Sequence, residues 1–284
     1  MKNNNFAAFI LTHGRPDRVY TYDVLRKHGY TGRIVVVIDN EDSKQAEYRQ
    51  RFGDQVYVFN KAEVATRMDE GDNFGDRRAI IYARNACFEI AQELGIEYFI
   101  QLDDDYTEFR HRKNHLGEYI TGHVDYIRDM DAVLDSMLRY YKSIPALSIA
   151  MAQGGDYIGG ADSSAASRPK RKCMNSFICS TSRPFKFFGR INEDVNTYTN
   201  LASRGGLFLT VMSISLQQKQ TQSNSGGMTE LYLDSGTYVK SFYSVMYQPS
   251  SVRVSILNTI NPRIHHRVSW RHTVPCIIEE KHKK

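Results

Sequence analysis

A chain of 284 residues, 41% hydrophobic and 24% charged, can bury a substantial core as one large domain or two small ones, and this composition is that of an ordinary soluble globular protein. No apolar run is long enough to span a bilayer, and the N-terminus, with its short apolar stretch and no small-residue cleavage site, reads as a first strand and not a signal peptide. The net charge of +5 says less by its total than by its distribution, and Cys87, Cys173, Cys179 and Cys276 have no metal-ligand or redox spacing, so free thiols in a reducing cytoplasm are expected.

FAAFILT (6–12) is an apolar strand, and RPDRVYTYDVLRKHG (15–29) sets Val19, Tyr22, Val24, Leu25 and His28 at helical spacing before a Gly29 cap. RIVVVID (33–39) is β-branched and nearly all apolar, as a strand covered on both faces is. SKQAEYRQRFG (43–53) is a polar helix and QVYVFN (55–60) a third strand. After an acidic loop, MDEGDNFGD (68–76), Ile80, Ala83, Cys87, Ile90 and Leu94 repeat at helical intervals up to Gly95, and EYFIQL (97–102) is the fourth strand. Strands separated by helices of this length predict a parallel, doubly wound sheet.

Asp103, Asp104 and Asp105 then stand at the carboxyl end of a buried parallel strand, where open α/β sheets bind ligands. His13 and Arg15 after the first strand and Asp39 after the second belong to the same edge. Three adjacent carboxylates repel, and one is forced to take up a proton unless a cation compensates. The plain alternative is a solvated turn. Strand alternation turns Asp103 and Asp105 to one face and Asp104 to the other.

The second half is less regular. VDYIRDMDAVLDSMLRYYKSI (124–144) is an amphipathic helix, and LSIAM (147–151), SFICST (176–181), GLFLTVMSI (206–214) and VRVSIL (252–257) are strands. QGGDYIGGADSSAASRPKRK (153–172) and QQKQTQSNSGG (217–227) read as loops, and ELYLDSGTYVKSFYSVMY (230–247) as a helix ended by Pro249.

Ala83-Arg84-Asn85 on a helix, Leu102-Asp103-Asp104-Asp105 at a strand end, and Glu193-Asp194 within GRINEDVNTY (189–198) form an ordered set. That set resembles the nucleotide-sugar-dependent glycosyltransferases of the GT-A fold, and family 2-type enzymes most. The resemblance implies an α/β GT-A fold: a Rossmann-like, doubly wound, mostly parallel sheet with an irregular acceptor-side C-terminal half. Residues 1–110 are then the nucleotide-sugar-binding half, and 111–284 the acceptor-binding and catalytic-base half of one continuous domain. It implies donor contacts from Thr12, Arg15, Asp39, Arg84, Asp103 and Asp104, with a UDP-sugar as the expected donor. It also implies Mn²⁺ or Mg²⁺ held by Asp105 and Asp103, with a late histidine, His266 or His265, as a further ligand. Asp194 becomes the base of an inverting transfer and Glu193 an acceptor contact.

The residue types suit that chemistry. Departure of a diphosphate leaves charge that a divalent cation stabilises, and such a cation needs only one or two protein carboxylates. An attacking hydroxyl needs a nearby base. Each residue also has a plainer reading: acids at a helix start complement its dipole, and Arg84, on one helix face with Arg77, is also what a surface ion pair looks like.

From Ser163 to Asn192 there is no acidic residue, while Lys170, Arg171, Lys172 and Arg190, with Arg168, Arg183 and Lys186, alternate with Phe177, Phe185, Phe187 and Phe188. Basic and aromatic residues so mixed suggest a nucleic-acid track; a solvated loop, or one gripping the donor diphosphate, is the alternative. LDDDY and GRINEDVNTY without a membrane segment look like the phage glycosyltransferases that modify hydroxymethylated cytosine, including the group associated with TET-type dioxygenases. That likeness implies DNA bearing 5-hydroxymethylcytosine as acceptor, in the cytoplasm of an infected host and with no membrane partner. A transferase acting on protein, polysaccharide or lipid-linked sugar, and a non-catalytic nucleic-acid-binding protein, are the competing expectations.

Overall fold

The computed structural model describes residues 5–72, 75–120, 125–157, 170–219, 239–257 and 262–275. Its centre is a nine-stranded sheet. In chain order the strands are β1 (Phe6–Leu11), β2 (Arg33–Asp39), β3 (Val56–Phe59), β4 (Tyr98–Asp103), β5 (Tyr106–His111), β6 (Asp125–Tyr126), β7 (Ala146–Ala152), β8 (Ser176–Ser180) and β9 (Leu207–Gln218). Across the sheet they lie in the order β3-β2-β1-β4-β8-β7-β9-β5-β6. The pairings make β8 and β5 the two reversed strands and leave the other seven in one direction. This is the mixed α/β, mostly parallel sheet that the strand–helix alternation predicts. Separately, β10 (Val252–Leu257) and β11 (Arg263–Val268) pair antiparallel as a two-stranded sheet.

Alternation along the central strands builds two cores. Phe6, Ala8, Ile10, Val36, Ile100 and Leu102 face α1 (Tyr20–Lys27), α2 (Gln45–Phe52) and α5 (Met130–Ser143), and pack with Leu25, Tyr48, Leu134 and Tyr141. Ala7, Phe9, Val35, Val37 and Phe99 face the other way, toward α3 (Lys61–Ala65), α4 (Ile81–Glu93) and α6 (Glu193–Ser203), and pack with Val64, Ile81, Cys87, Val195 and Tyr198. Burial on both faces is why FAAFIL and RIVVVID carry almost no polar residue. Among the described residues no helix is long and apolar enough to cross a membrane.

Several elements differ from the sequence expectation. β5 was not anticipated because YTEFRH is half polar; Tyr106 and Phe109 enter the core while the strand pairs with β9. That pairing also carries β9 on to Gln218, through residues whose composition suggested a loop. α5 begins at Met130 and not near 124, because the Asp129 carboxylate accepts the Ala132 N–H and caps it there. Residues 239–247 are helical, as expected, but most of the predicted loops at 153–172 and 217–227 lie outside the described residues, as does Cys276.

Candidate active site

β4 and β5 are joined by the tight turn Asp103–Tyr106, and Thr21 at the start of α1 fixes it from three sides. Its hydroxyl donates to the Asp103 carbonyl (2.6 Å) and accepts the Tyr106 N–H (3.0 Å), while its own N–H reaches the Asp104 carbonyl (3.1 Å). The strand pleat then sorts the carboxylates. Asp104, 1% exposed, turns to the α1–α2 side, where Thr12 donates to Oδ2 (2.6 Å) and Arg15 makes a paired contact from Nε and Nη2 (2.8 and 2.9 Å). Both Asp104 oxygens are therefore held by protein donors, and Thr12 and Arg15 act on Asp104 before they can act on any ligand. Tyr48 supports both, through the Thr12 hydroxyl and the Arg15 N–H.

Asp103 turns to the α4–α6 side. There Arg84, 1% exposed, donates from Nη2 to Asp103 Oδ1 (2.9 Å) and from Nε to Glu193 Oε1 (3.0 Å). One buried guanidinium, stacked over Phe177 at 4.7 Å, thus ties the aspartate triplet to the Glu-Asp pair. Among the described residues its Nη1 is buried without a hydrogen-bond partner. Arg77 does not share this face: it precedes α4 and pairs with Glu41 instead.

Glu193 and Asp194 open α6, and Asn192 aims them. Asn192 takes the left-handed conformation (φ 54°), which its short amide side chain tolerates, and that side chain donates to the Lys240 carbonyl (2.7 Å) instead of capping the helix. Asp194 is buried, and among the described residues its carboxylate accepts only the Val195 N–H (2.7 Å). Burial, reinforced by Glu193, pushes its carboxyl up to about 6. The acids do stand in the first turn of a helix, as the plainer reading holds, yet Glu193 also pairs with Arg84.

The carboxylate of Asp105 is half-buried and meets no donor from another described residue. Burial and Asp104 push it up to about 6, and burial with Asp105, Glu193 and Asp104 pushes Asp103 up to about 7 against the pull of Arg84. The cluster is thus short of positive charge. Its chemistry fits a divalent cation, which Asp105 and Asp103 would hold together with phosphate oxygens. Among the described residues no group of three or more His, Cys, Asp or Glu is arranged to hold a metal by protein ligands alone. His266 accordingly does not join Asp103 and Asp105; its Nδ1 lies 3.4 Å from Asn192 Nδ2, and burial beside His265 and Lys240 depresses it to about 3, so it is neutral.

At the end of β2, Asp39 is buried and accepts from His13 Nδ1 (2.7 Å) and from Lys61 Nζ (3.3 Å). The contact raises His13 and lowers Asp39. Lys61 and Thr21 contact these candidate residues, and the sequence did not flag them. A lysine opening a short helix and a threonine in an amphipathic one carry no local signal of their contacts.

The proposed acceptor cations do not form one track. Arg190 is 2% exposed and makes a paired contact with Asp72 (3.0 and 2.7 Å), so it braces the acidic loop from inside and does not face a phosphate backbone. Lys170 and Lys172 straddle the buried Asp156 at 3.4 and 2.5 Å. Arg171 alone leads outward, to the Trp270 carbonyl (2.5 Å). Phe177, Phe185 and Phe187 are core residues, because the second face of the sheet needs large apolar groups where β8 meets α4. Arg168 lies outside the described residues.

The family model described as TET-Associated Glycosyltransferase matches residues 6–227. The chain belongs to this family. The match takes in all the acids above, from Asp39 to Asp194, and stops before β10. No curated protein matches the sequence. Among solved structures, the chain is similar to S. aureus TarS 1–349, at 11% identity and a TM-score of 0.41, over 75% of this chain and 59% of that one. It is also similar to S. aureus TarS 1–349 in complex with UDP-GlcNAc, at 9% identity and a TM-score of 0.40, over 85% of this chain and 66% of that one. The chain therefore spans about three-fifths to two-thirds of the solved chains it matches.

Proposed function

We propose that this family member transfers a sugar from a nucleotide-sugar, with UDP the nucleotide to test first, to a hydroxyl acceptor, the hydroxymethyl group of 5-hydroxymethylcytosine in DNA. The reaction would invert the anomeric centre and take place in the cytoplasm, where nucleotide-sugar and DNA are both at hand; for a phage enzyme that is the infected host. The observation that carries the reading is the Arg84 bridge from Asp103 to Glu193, which links the aspartate triplet at the end of β4 to the neighbour of the buried base candidate Asp194. The family name supports DNA as the acceptor.

In this reading Asp39, with His13 and Lys61 around it, holds the nucleoside, while Asp105 and Asp103 would hold Mn²⁺ or Mg²⁺. When bound, that cation supplies Lewis-acid stabilisation of the departing diphosphate. Asp104 holds Arg15 and Thr12 in place, so these three shape the donor cleft as a unit. Asp194, ionised above about 6, accepts the acceptor hydroxyl proton as that oxygen attacks the anomeric carbon from the face opposite the leaving group. Glu193, held by Arg84, orients the acceptor. Residues 1–110 and 111–284 keep their proposed division into donor and acceptor halves.

Titration calorimetry with UDP, with and without Mn²⁺, tests the donor side. The wild-type protein should bind UDP more tightly with Mn²⁺, and Asp105→Asn should abolish that gain while leaving metal-free affinity alone. Equal Mn²⁺ dependence in both proteins would remove Asp105 from the site.

A further inference from the structure

Between Asp234 and Glu279 the sequence contains no aspartate or glutamate, but it contains Lys240, Arg253, Arg263, Arg267 and Arg271. The structure gathers much of that charge on the β10–β11 hairpin. Arg253 and Arg267 are direct cross-strand partners, and like charges placed opposite each other in an antiparallel pair are destabilising. Both are exposed, as is Arg263, which alternation puts on the same face, and none of the three meets a carboxylate among the described residues. Arg253 and Arg267 line a cleft of about 310 Å³ with Val268 and Ser269. Arg171 approaches the same end of the hairpin through its contact with the Trp270 carbonyl.

The opposite face of the hairpin is attached to the catalytic end of the molecule. His266 lies 3.4 Å from the Asn192 amide, Val268 packs on the second core, and Asn192 immediately precedes Glu193 and Asp194. The repulsion within this exposed arginine pair is relieved by an anion that both guanidiniums share. Its unpaired guanidiniums can each take a phosphate oxygen pair. A two-stranded ribbon is also a shape that the major groove of duplex DNA admits.

We propose that the β10–β11 hairpin is the surface that holds the phosphate backbone of the DNA acceptor, with Arg253 and Arg267 as its central contacts and Arg171 and Arg263 flanking them. The proposal rests on the DNA-acceptor reading above and assigns that role to residues other than Lys170, Lys172 and Arg190.

Binding of a short DNA duplex, measured over a range of salt concentrations, tests it. Arg253→Gln/Arg267→Gln should bind roughly tenfold more weakly at low salt, and its plot of log affinity against log salt should be shallower by about 1.8, for two lost contacts. Arg253→Lys/Arg267→Lys should restore the slope. Arg49→Gln/Arg139→Gln, which removes equal charge from exposed helix positions elsewhere, should bind as wild type does. An unchanged slope in the Arg253/Arg267 glutamine variant overturns the hairpin assignment and leaves the DNA-acceptor reading standing. Absence of any salt-dependent duplex binding by the wild type overturns both, as does binding to an anionic polysaccharide instead. Loss of UDP affinity in the glutamine variant with DNA binding intact would assign the arginines to the donor, and would also overturn the proposal.

Discussion

Asp194 combines burial, a single donor among the described residues and an acidic neighbour, and these set both its reactivity and its cost. With its carboxyl near 6, it is ionised at neutral pH but remains a better base than an ordinary aspartate. If Asp194 is the proposed base, turnover should therefore fall as pH drops through about 6, because that base becomes protonated. Asp194→Asn should lower kcat by about 10²–10⁴-fold and leave UDP affinity near wild type. Linkage gives the sign for stability. A carboxyl raised on folding favours the fold below the ordinary carboxylate range and opposes it once pH exceeds about 6. The asparagine variant, which still accepts the Val195 N–H, should thus melt higher than wild type at pH 7.5 or above and lose that advantage in acid. A lower melting temperature together with a loss of activity under about tenfold would make Asp194 a helix-start acid and nothing more.

At the scale of elements, the β4–β5 turn is the part on which the site depends most. The Thr21 hydroxyl meets two backbone groups of the turn, so Thr21→Val, nearly equal in shape, should cost about 1–3 kcal/mol in a urea titration. Asp103 and Asp105 should also lose their fixed spacing, seen as weaker Mn²⁺-linked UDP affinity. If stability drops but that linkage is untouched, the turn is rigid without Thr21. How far such elements can be read from sequence depends on what drives them. β1, β2 and β4 are buried on both faces and announce themselves as apolar runs. The Asp triplet and Glu193-Asp194 could be singled out because charge gathered at strand ends is unusual. β5 and β11 could not, since YTEFRH and RIHHRV owe their strand state to partners at β9 and β10 and not to their own pattern. Thr21 was silent for the same reason: its partners are 82 to 85 residues away along the chain.

Across the whole molecule, the sequence shows which residues are charged but not which charges face solvent. RPKRK read as an open basic run, yet Lys170 and Lys172 both serve Asp156, 3% exposed, and Arg190 folds onto Asp72 across a long stretch of chain. Lys170→Gln/Lys172→Gln should accordingly destabilise the protein by about 3 kcal/mol, since a buried carboxylate loses its compensation, in a thermal melt at neutral pH. Its DNA salt slope should match wild type. A flatter slope with an unchanged melt would restore these lysines to the phosphate track.

The Arg84 bridge has a consequence for anyone recombining members of this family. A crossover between residues 110 and 111 looks clean on the proposed roles, since the proposed donor contacts fall before it and the proposed base after it. It would nonetheless separate Arg84 from Glu193, and β4 from the β8 strand beside it. A chimaera built at that point inherits the buried guanidinium with Asp103 from one parent and its second carboxylate, Glu193, from another. Unless both parents carry the pair, the hybrid receives either an Arg84 left with Asp103 alone or a Glu193-Asp194 pair without its cation. The inheritable unit here is therefore not a half of the chain but the arginine with both of its carboxylates.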